Sequence, residues 1–213
     1  MIISVSGAIN SGKDTIAEYL VAEHGFTQVS FASNLKDALS KIFNWDRELL
    51  EGKTELSREW REAVDKWWAA RLGIPQLTPR WVMQHFATEV CRTGFHDDIW
   101  VASLEKSIMN TSQNVVISDC RFPNELKMVQ RLGHTIHVSR GNTPDWHELA
   151  IPANRGSEYH SVLLASIGIH LSESGLIGTS FDYEMRNDGT LSDLYLQVDS
   201  IITDLAADPP VSM

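Results

Sequence analysis

Gly7-Ala8-Ile9-Asn10-Ser11-Gly12-Lys13-Asp14-Thr15 follows directly on the apolar run Ile2, Ile3, Val5 and leads directly into a helix-like pattern. A loop of the form G-x-x-x-x-G-K lets the backbone curl until successive N–H groups point inward. The helix that follows adds the positive end of its dipole, and the lysine reaches the β- and γ-phosphates of a nucleotide. Strand, loop and helix occur here in that order, so the stretch reads as a phosphate cradle at the first strand-to-helix turn of an α/β domain.

Working outward, Ile16, Ala17, Leu20 and Val21 continue a helix that Gly25 ends, and a short strand spans 28–31. Asn34 then caps a helix with Leu35, Ala38, Leu39, Ile42 and Phe43 on one face. Between about 45 and 113 the alternation gives way to helices. One is capped at Ser57 and carries Trp60, Val64, Trp67 and Trp68 toward a core; a second opens at Thr78-Pro79 and runs to Gly94; a third starts near Asp97 and Asp98. The α/β rhythm resumes with the buried-type strand Val115-Val116-Ile117-Ser118, a helix over 123–132, a strand over 135–139, a last strand over 181–185 and a helix from about Leu191. The expected fold is α/β: a parallel sheet of about five strands flanked by helices, a core of 1–44 and 114–213, and a helical insertion over about 45–113. Residues 141–180, interrupted by Gly, Pro, Asn and Ser, read as an irregular lid-like segment.

A length of 213 residues suits one domain with a full core, and 43% hydrophobic with 22% charged residues is the composition of a globular chain. The net charge of −10 argues against a nucleic-acid polymer as partner, whereas a local basic cluster can still hold a small anion. Cys91 and Cys120 form no C-x-x-C pair, no signal-peptide pattern opens the chain, and no apolar run reaches membrane-spanning length. A cytoplasmic protein without a membrane partner is expected. The oligomeric state stays open, a homodimer included.

Three further groups carry chemistry. Asp119-Cys120-Arg121 ends a parallel strand, where an aspartate can hold Mg²⁺ directly or through water and an arginine can clamp a transferring phosphoryl group. Glu125, one helical turn on, is placed to orient Arg121 or meet a sugar hydroxyl. Arg80, at the helix start opened by Thr78-Pro79, marks a second anion site apart from the first loop. Trp45, Trp81 and Trp100 are candidates for stacking on a base. The eight histidines show no metal spacing.

Asp14 stands where most P-loop NTPases carry the Mg²⁺-ligating Ser or Thr, and the hydroxyl comes one place later at Thr15. Gly12-Lys13-Asp14-Thr15 resembles the loop of the bacteriophage deoxynucleoside monophosphate kinases. The resemblance continues through 35–39 (Leu-Lys-Asp-Ala-Leu), the helix start from Arg80 to Gln84, Trp100, the run from Asp119 through Arg121 to Glu125, Arg140-Gly141, and Asn187-Asp188-Gly189. It implies a P-loop kinase fold whose helical insertion binds the acceptor. It also implies transfer of the γ-phosphate of ATP, with Mg²⁺, to a deoxynucleoside monophosphate. On this likeness Lys13, Asp14, Asp119 and Arg121 are catalytic. Gly7, Asn10, Ser11, Gly12, Lys13, Asp14, Thr15, Arg140 and Asn187 attend ATP, and Ser11, Asp14, Thr15, Lys36, Arg80, Trp100, Asp119, Arg121 and Glu125 attend the acceptor. The chain departs from the family at Trp81, in a stretch that is often basic, and at 155–158, where Arg-Gly-Ser-Glu stands in place of a His-x-Ser-Glu element. Two alternatives stay open: a small-molecule P-loop kinase with an alcohol acceptor, resembling dephospho-coenzyme A kinase, and a non-catalytic nucleotide-binding switch.

Overall fold

A computed structural model describes residues 1–109 and 111–207. The described residues form two compact units, one of residues 1–30 with 111–207 and one of residues 31–109.

The first unit is built on five parallel strands: β1 (Ile2–Ser6), β2 (Thr27–Val29), β3 (Val115–Ile117), β4 (His134–Ser139) and β5 (Tyr183–Arg186), in the order β2-β3-β1-β4-β5. β1 lies at the centre, with Ser4 facing Ile117 on one side and Thr135 on the other. Ile3, Val5, Val115, Val116, Ile117, Ile136 and Val138 are almost wholly buried, as expected of parallel strands covered on both faces. Ile16, Ala17 and Leu20 of α1 (Lys13–His24) pack there with Leu194, Val198, Ile201 and Leu205 of α12 (Leu191–Ala207). Burying the leucine, isoleucine and valine side chains removes them from water at roughly 1.5–3 kcal/mol each. Gly25 ends α1 in the left-handed conformation, φ +67°.

The second unit is helical: α2 (Ser33–Phe43), α3 (Arg47–Glu51), α4 (Glu55–Glu62), α5 (Lys66–Leu72), α6 (Pro79–His85), a π-helical continuation over Phe86–Thr93, and α7 (Ile99–Ile108). The helix expected through Trp60 to Trp68 is two helices. Thr54 caps α4 in a reciprocal box with Ser57, and the Asp65 carboxylate accepts from the N–H groups of Trp67 and Trp68 to start α5. The break moves Trp67 out of the stripe, and it is 63% exposed instead of core. Trp60 and Trp68 pack against the buried cluster of Leu35, Leu39, Trp45, Leu50, Leu77, Val82 and Trp100.

Residues 141–180, which show no periodic pattern in the sequence, hold α9 (His147–Asn154), α10 (Glu158–Ser166) and the single turn α11 (Leu171–Ser174). Their polar residues act as connectors: the Asn154 amide donates to the carbonyls of Ser174 (2.7 Å) and Ile177 (2.8 Å). Before them, α8 (Pro123–Leu132) links β3 to β4. Among the described residues no helix is long and apolar enough to cross a membrane.

Candidate phosphate-binding site

The loop between β1 and α1 takes its shape from two glycines. A Cβ on Gly7 would lie 2.3 Å from the Val138 carbonyl oxygen and 2.6 Å from Ser11 Oγ. Gly12 sits at φ +106°, and a Cβ there would lie 2.4 Å from the Asn187 amide nitrogen. Asn10 adopts φ +64°, a conformation that asparagine tolerates better than most residues. The turn closes with the Ser11 N–H donating to Ala8 O at 3.2 Å, and Ser11 Oγ is buried without a hydrogen-bond partner.

Lys13 opens α1. Its Nζ donates to Ala8 O at 3.3 Å, and the residue is only 9% exposed. Burial draws its pKa below the usual lysine value; the Asp14 carboxylate opposes the shift and the Arg121 charge adds to it. A partly desolvated ammonium that donates to a carbonyl is well prepared to meet a phosphate anion.

Beside the loop lies a cavity of about 460 Å³ lined by Asn10, Gly12, Lys13, Asp14, Thr15, Arg140, Asn187, Gly189, Leu191 and Leu194. Seven of the nine residues assigned to ATP from the sequence, all but Gly7 and Ser11, meet there. Gly189 and the apolar wall of Leu191 and Leu194 escape sequence reading, because nothing in a single chain says which flank of α12 faces the loop. Asn187 is buried; its backbone N–H donates to Ser139 O (2.8 Å) and its side chain to Ser11 O (2.9 Å). Behind it, Asp188 accepts from the Gly141 N–H (2.7 Å) and from Arg186 (2.8 Å), which hold its carboxyl below the ordinary aspartate range.

On the other side of β1, Ser30 Oγ donates to Asp119 at 2.5 Å, and Arg121 is exposed. Glu125 is 3% exposed, and its carboxylate accepts from the backbone N–H groups of Arg121 (2.8 Å) and Phe122 (3.1 Å). It thus caps the start of α8, and the part of Arg121 it orients is the backbone. Burial, with Glu125 and Asp119 adding negative charge, pushes the Cys120 thiol up to about 12.

Within the second unit, Lys36 pairs with Glu51 at 2.6 Å and Arg80 with Glu62. Trp100 is a core residue here, 9% exposed, with its indole N–H donating to Ala87 O (3.1 Å). Trp45 is likewise buried, donating to Asp65 at 2.8 Å. Trp81 is half-buried and stacks on His85 at 5.0 Å.

Mg²⁺ usually takes one or two protein oxygens and completes its shell with phosphates and water. The Thr15 hydroxyl and the Asp119 carboxylate are hard oxygen donors of that kind in the unit that holds the loop, so the residues fit a nucleotide-bound Mg²⁺. Among the described residues no group of three or more His, Cys, Asp or Glu is placed to hold a metal ion by itself.

A central parallel strand feeding a glycine-shaped, lysine-bearing loop, in a sheet of order β2-β3-β1-β4-β5, is the architecture of a P-loop kinase. No family model matches the chain. It is 28% identical over 218 residues, covering 95% of this chain and 96% of the other, to a protein of Acanthamoeba polyphaga mimivirus provisionally named a deoxynucleotide monophosphate kinase. It is 39% identical over 59 residues, 27% of this chain and 24% of the other, to the deoxynucleoside-5'-monophosphate kinase of Escherichia phage T5. The resemblance carried in the sequence by dispersed motifs is thus met over 95% of the chain in the mimivirus relative and over 27% of it in the phage kinase. Among solved structures, shikimate kinase from Aquifex aeolicus aligns over 97% of both chains with 13% identity and a TM-score of 0.46. Dephospho-CoA kinase from Campylobacter jejuni aligns over 96% of both with 16% identity and a TM-score of 0.41.

Proposed function

We propose that the protein transfers the γ-phosphate of ATP to a deoxynucleoside 5'-monophosphate, giving the diphosphate and ADP. The observation that carries this reading is the loop itself: a buried Lys13 with a lowered pKa, in a turn that Gly7 and Gly12 alone can form, beside a cavity of about 460 Å³. The similarity over 95% of the chain to the mimivirus protein provisionally named a deoxynucleotide monophosphate kinase supports the choice of acceptor.

In this reading the backbone N–H groups of the loop and Lys13 cradle the β- and γ-phosphates, and Asn187 keeps the loop in register. Arg121 balances charge on the phosphoryl group in flight, and Asp14 and Thr15 stand at the start of α1 beside it. Bound Mg²⁺, held by Thr15 and Asp119, would neutralise charge shared by the β- and γ-phosphates. Residues 31–110 supply the acceptor subsite through Lys36 and Arg80. A monophosphate with a second pKa of about 6 is largely a dianion at neutral pH, so its oxygen attacks without a general base. Positioning and charge neutralisation are what the side chains must provide.

An ADP-release assay across deoxynucleoside monophosphates, ribonucleoside monophosphates and dephospho-coenzyme A tests the proposal. Turnover with one or more deoxynucleoside monophosphates is expected. Turnover with dephospho-coenzyme A alone would make it an alcohol kinase, and ATP binding without turnover on any acceptor would make it a nucleotide-binding switch.

A further inference from the structure

We propose that Arg61 is the second cation of an anion subsite in the helical unit, acting with Arg80 on the phosphate of a monophosphate ester; this rests on the kinase reading above. Arg61 lies on α4, which packs against α6, the helix that carries Arg80. Its guanidinium occupies a built seat. A Cβ on Gly52, which ends α3 at φ +69°, would lie 2.1 Å from Arg61 Cζ and Nη2, so the group lies close against the backbone of a left-handed position that favours glycine.

In that seat Arg61 lacks what a buried guanidinium normally has. Its Nε is shielded from solvent and has no hydrogen-bond partner, while the residue as a whole stays partly exposed. Both nearby carboxylates are committed elsewhere: Glu51 to Lys36 and Arg47, and Glu62 to Arg80. Arg80 and Arg58 face Arg61 with like charge, and Arg58 itself is tied to the Lys53 carbonyl at 3.2 Å. Burial and Arg80 together pull the Arg61 pKa below the usual arginine value, with Glu62 and Glu51 only opposing. A partly buried guanidinium with an unpartnered Nε, under the like charge of another arginine, is costly unless an anion joins them. Two planar forks brought onto one anion match the oxygens of a phosphate monoester, which one ammonium or one helix end matches less well.

The test titrates a deoxynucleoside monophosphate by tryptophan fluorescence, with a non-hydrolysable ATP analogue saturating the P-loop. Arg61→Gln should weaken monophosphate binding about ten- to a hundredfold, with Arg61→Lys between it and the wild type. Binding of the ATP analogue should hold, and the melting temperature should hold or rise, because an uncompensated cation is removed. A role in packing alone would lower the melting temperature and move both ligands together. Unchanged monophosphate binding in Arg61→Gln, or loss only in step with unfolding, overturns the assignment while wild-type turnover leaves the kinase reading standing. Should the wild type turn over no monophosphate, inorganic phosphate titrated under the same conditions judges Arg61 by itself: equal affinity in wild type and Arg61→Gln overturns it.

Discussion

The side-chain amide of Asn187 donates to the Ser11 carbonyl at 2.9 Å, joining residues 176 positions apart. The turn after β5 thereby holds the phosphate loop from outside. The same amide nitrogen fills the space a side chain at position 12 would need, so Asn187 and Gly12 are complementary. Asn187→Ala removes a buried donor and leaves a carbonyl unsatisfied, a loss of about 1–3 kcal/mol. A lower melting temperature is expected, together with a fall in kcat/KM for ATP of about tenfold or more. Gly12→Ala should be worse, since its Cβ meets that amide at 2.4 Å in a strained backbone. Steady-state kinetics beside thermal melting checks both.

Lys13→Met should abolish most turnover, by roughly 10²-fold or more, with the fold intact. A stability measurement against pH adds an independent readout. Because the folded-state pKa of Lys13 lies below 10.5, the unfolded chain holds more protons between the two values. The buried charge therefore destabilises the fold at neutral pH, and that cost fades as pH rises through the lowered value toward 10.5. Wild-type stability minus that of Lys13→Met should climb over this alkaline window. A flat difference would mean that Lys13 is not desolvated.

The parallel sheet, its flanking helices and the phosphate loop were legible because each rests on local signals: apolar strands of four or five residues, glycine stops, and the G-x-x-x-x-G-K spacing. The helical unit was harder to read. The split at Asp65 depends on which carboxylate reaches back to two N–H groups, and a periodic run of tryptophans hides it. Residues 141–180 were opaque for a related reason, since Asn154 serves as a cross-link between turns where its residue type reads as a breaker. In the cavity beside the loop, residues near the loop in sequence were found, but Leu191 and Leu194 enter from α12. Only tertiary packing puts them there.

Glu125 divides a structural role from a contact with substrate. Its carboxylate accepts two backbone N–H groups at the start of α8, each bond to a charged acceptor being worth about 1.5–3 kcal/mol. Glu125→Ala should lower the melting temperature substantially, and Glu125→Gln, which keeps an accepting oxygen, by less. With capping as its role, the KM values of the folded Glu125→Gln protein stay near wild type. A selective rise in the acceptor KM would restore the sugar contact.

The two thiols should be unreactive in the native state. Cys120 is buried with its pKa pushed up to about 12, and burial also raises Cys91, which is only partly covered. Since the thiolate is the nucleophile, alkylation at pH 8 should label Cys91 slowly and Cys120 only on unfolding. Rapid labelling of Cys120 would contradict the packing of the strand-end turn.

Arg80 and Glu62 form an ion pair between side chains that are 42% and 58% exposed, so the pair contributes little stability, about 0–1 kcal/mol. If Arg80 exchanges this carboxylate for the acceptor phosphate, two substitutions should act in opposite directions. Arg80→Ala removes a charge-assisted contact and should raise the acceptor KM about ten- to a hundredfold. Glu62→Gln frees the guanidinium and should lower the same KM by up to about fivefold, the competition being no stronger than the surface pair. Neither should move the KM for ATP appreciably, provided KM follows binding. A rise in the acceptor KM for both variants would mean that the pair is needed intact to hold Arg80 in place. A selective rise for ATP in Arg80→Ala would assign this arginine to the donor nucleotide.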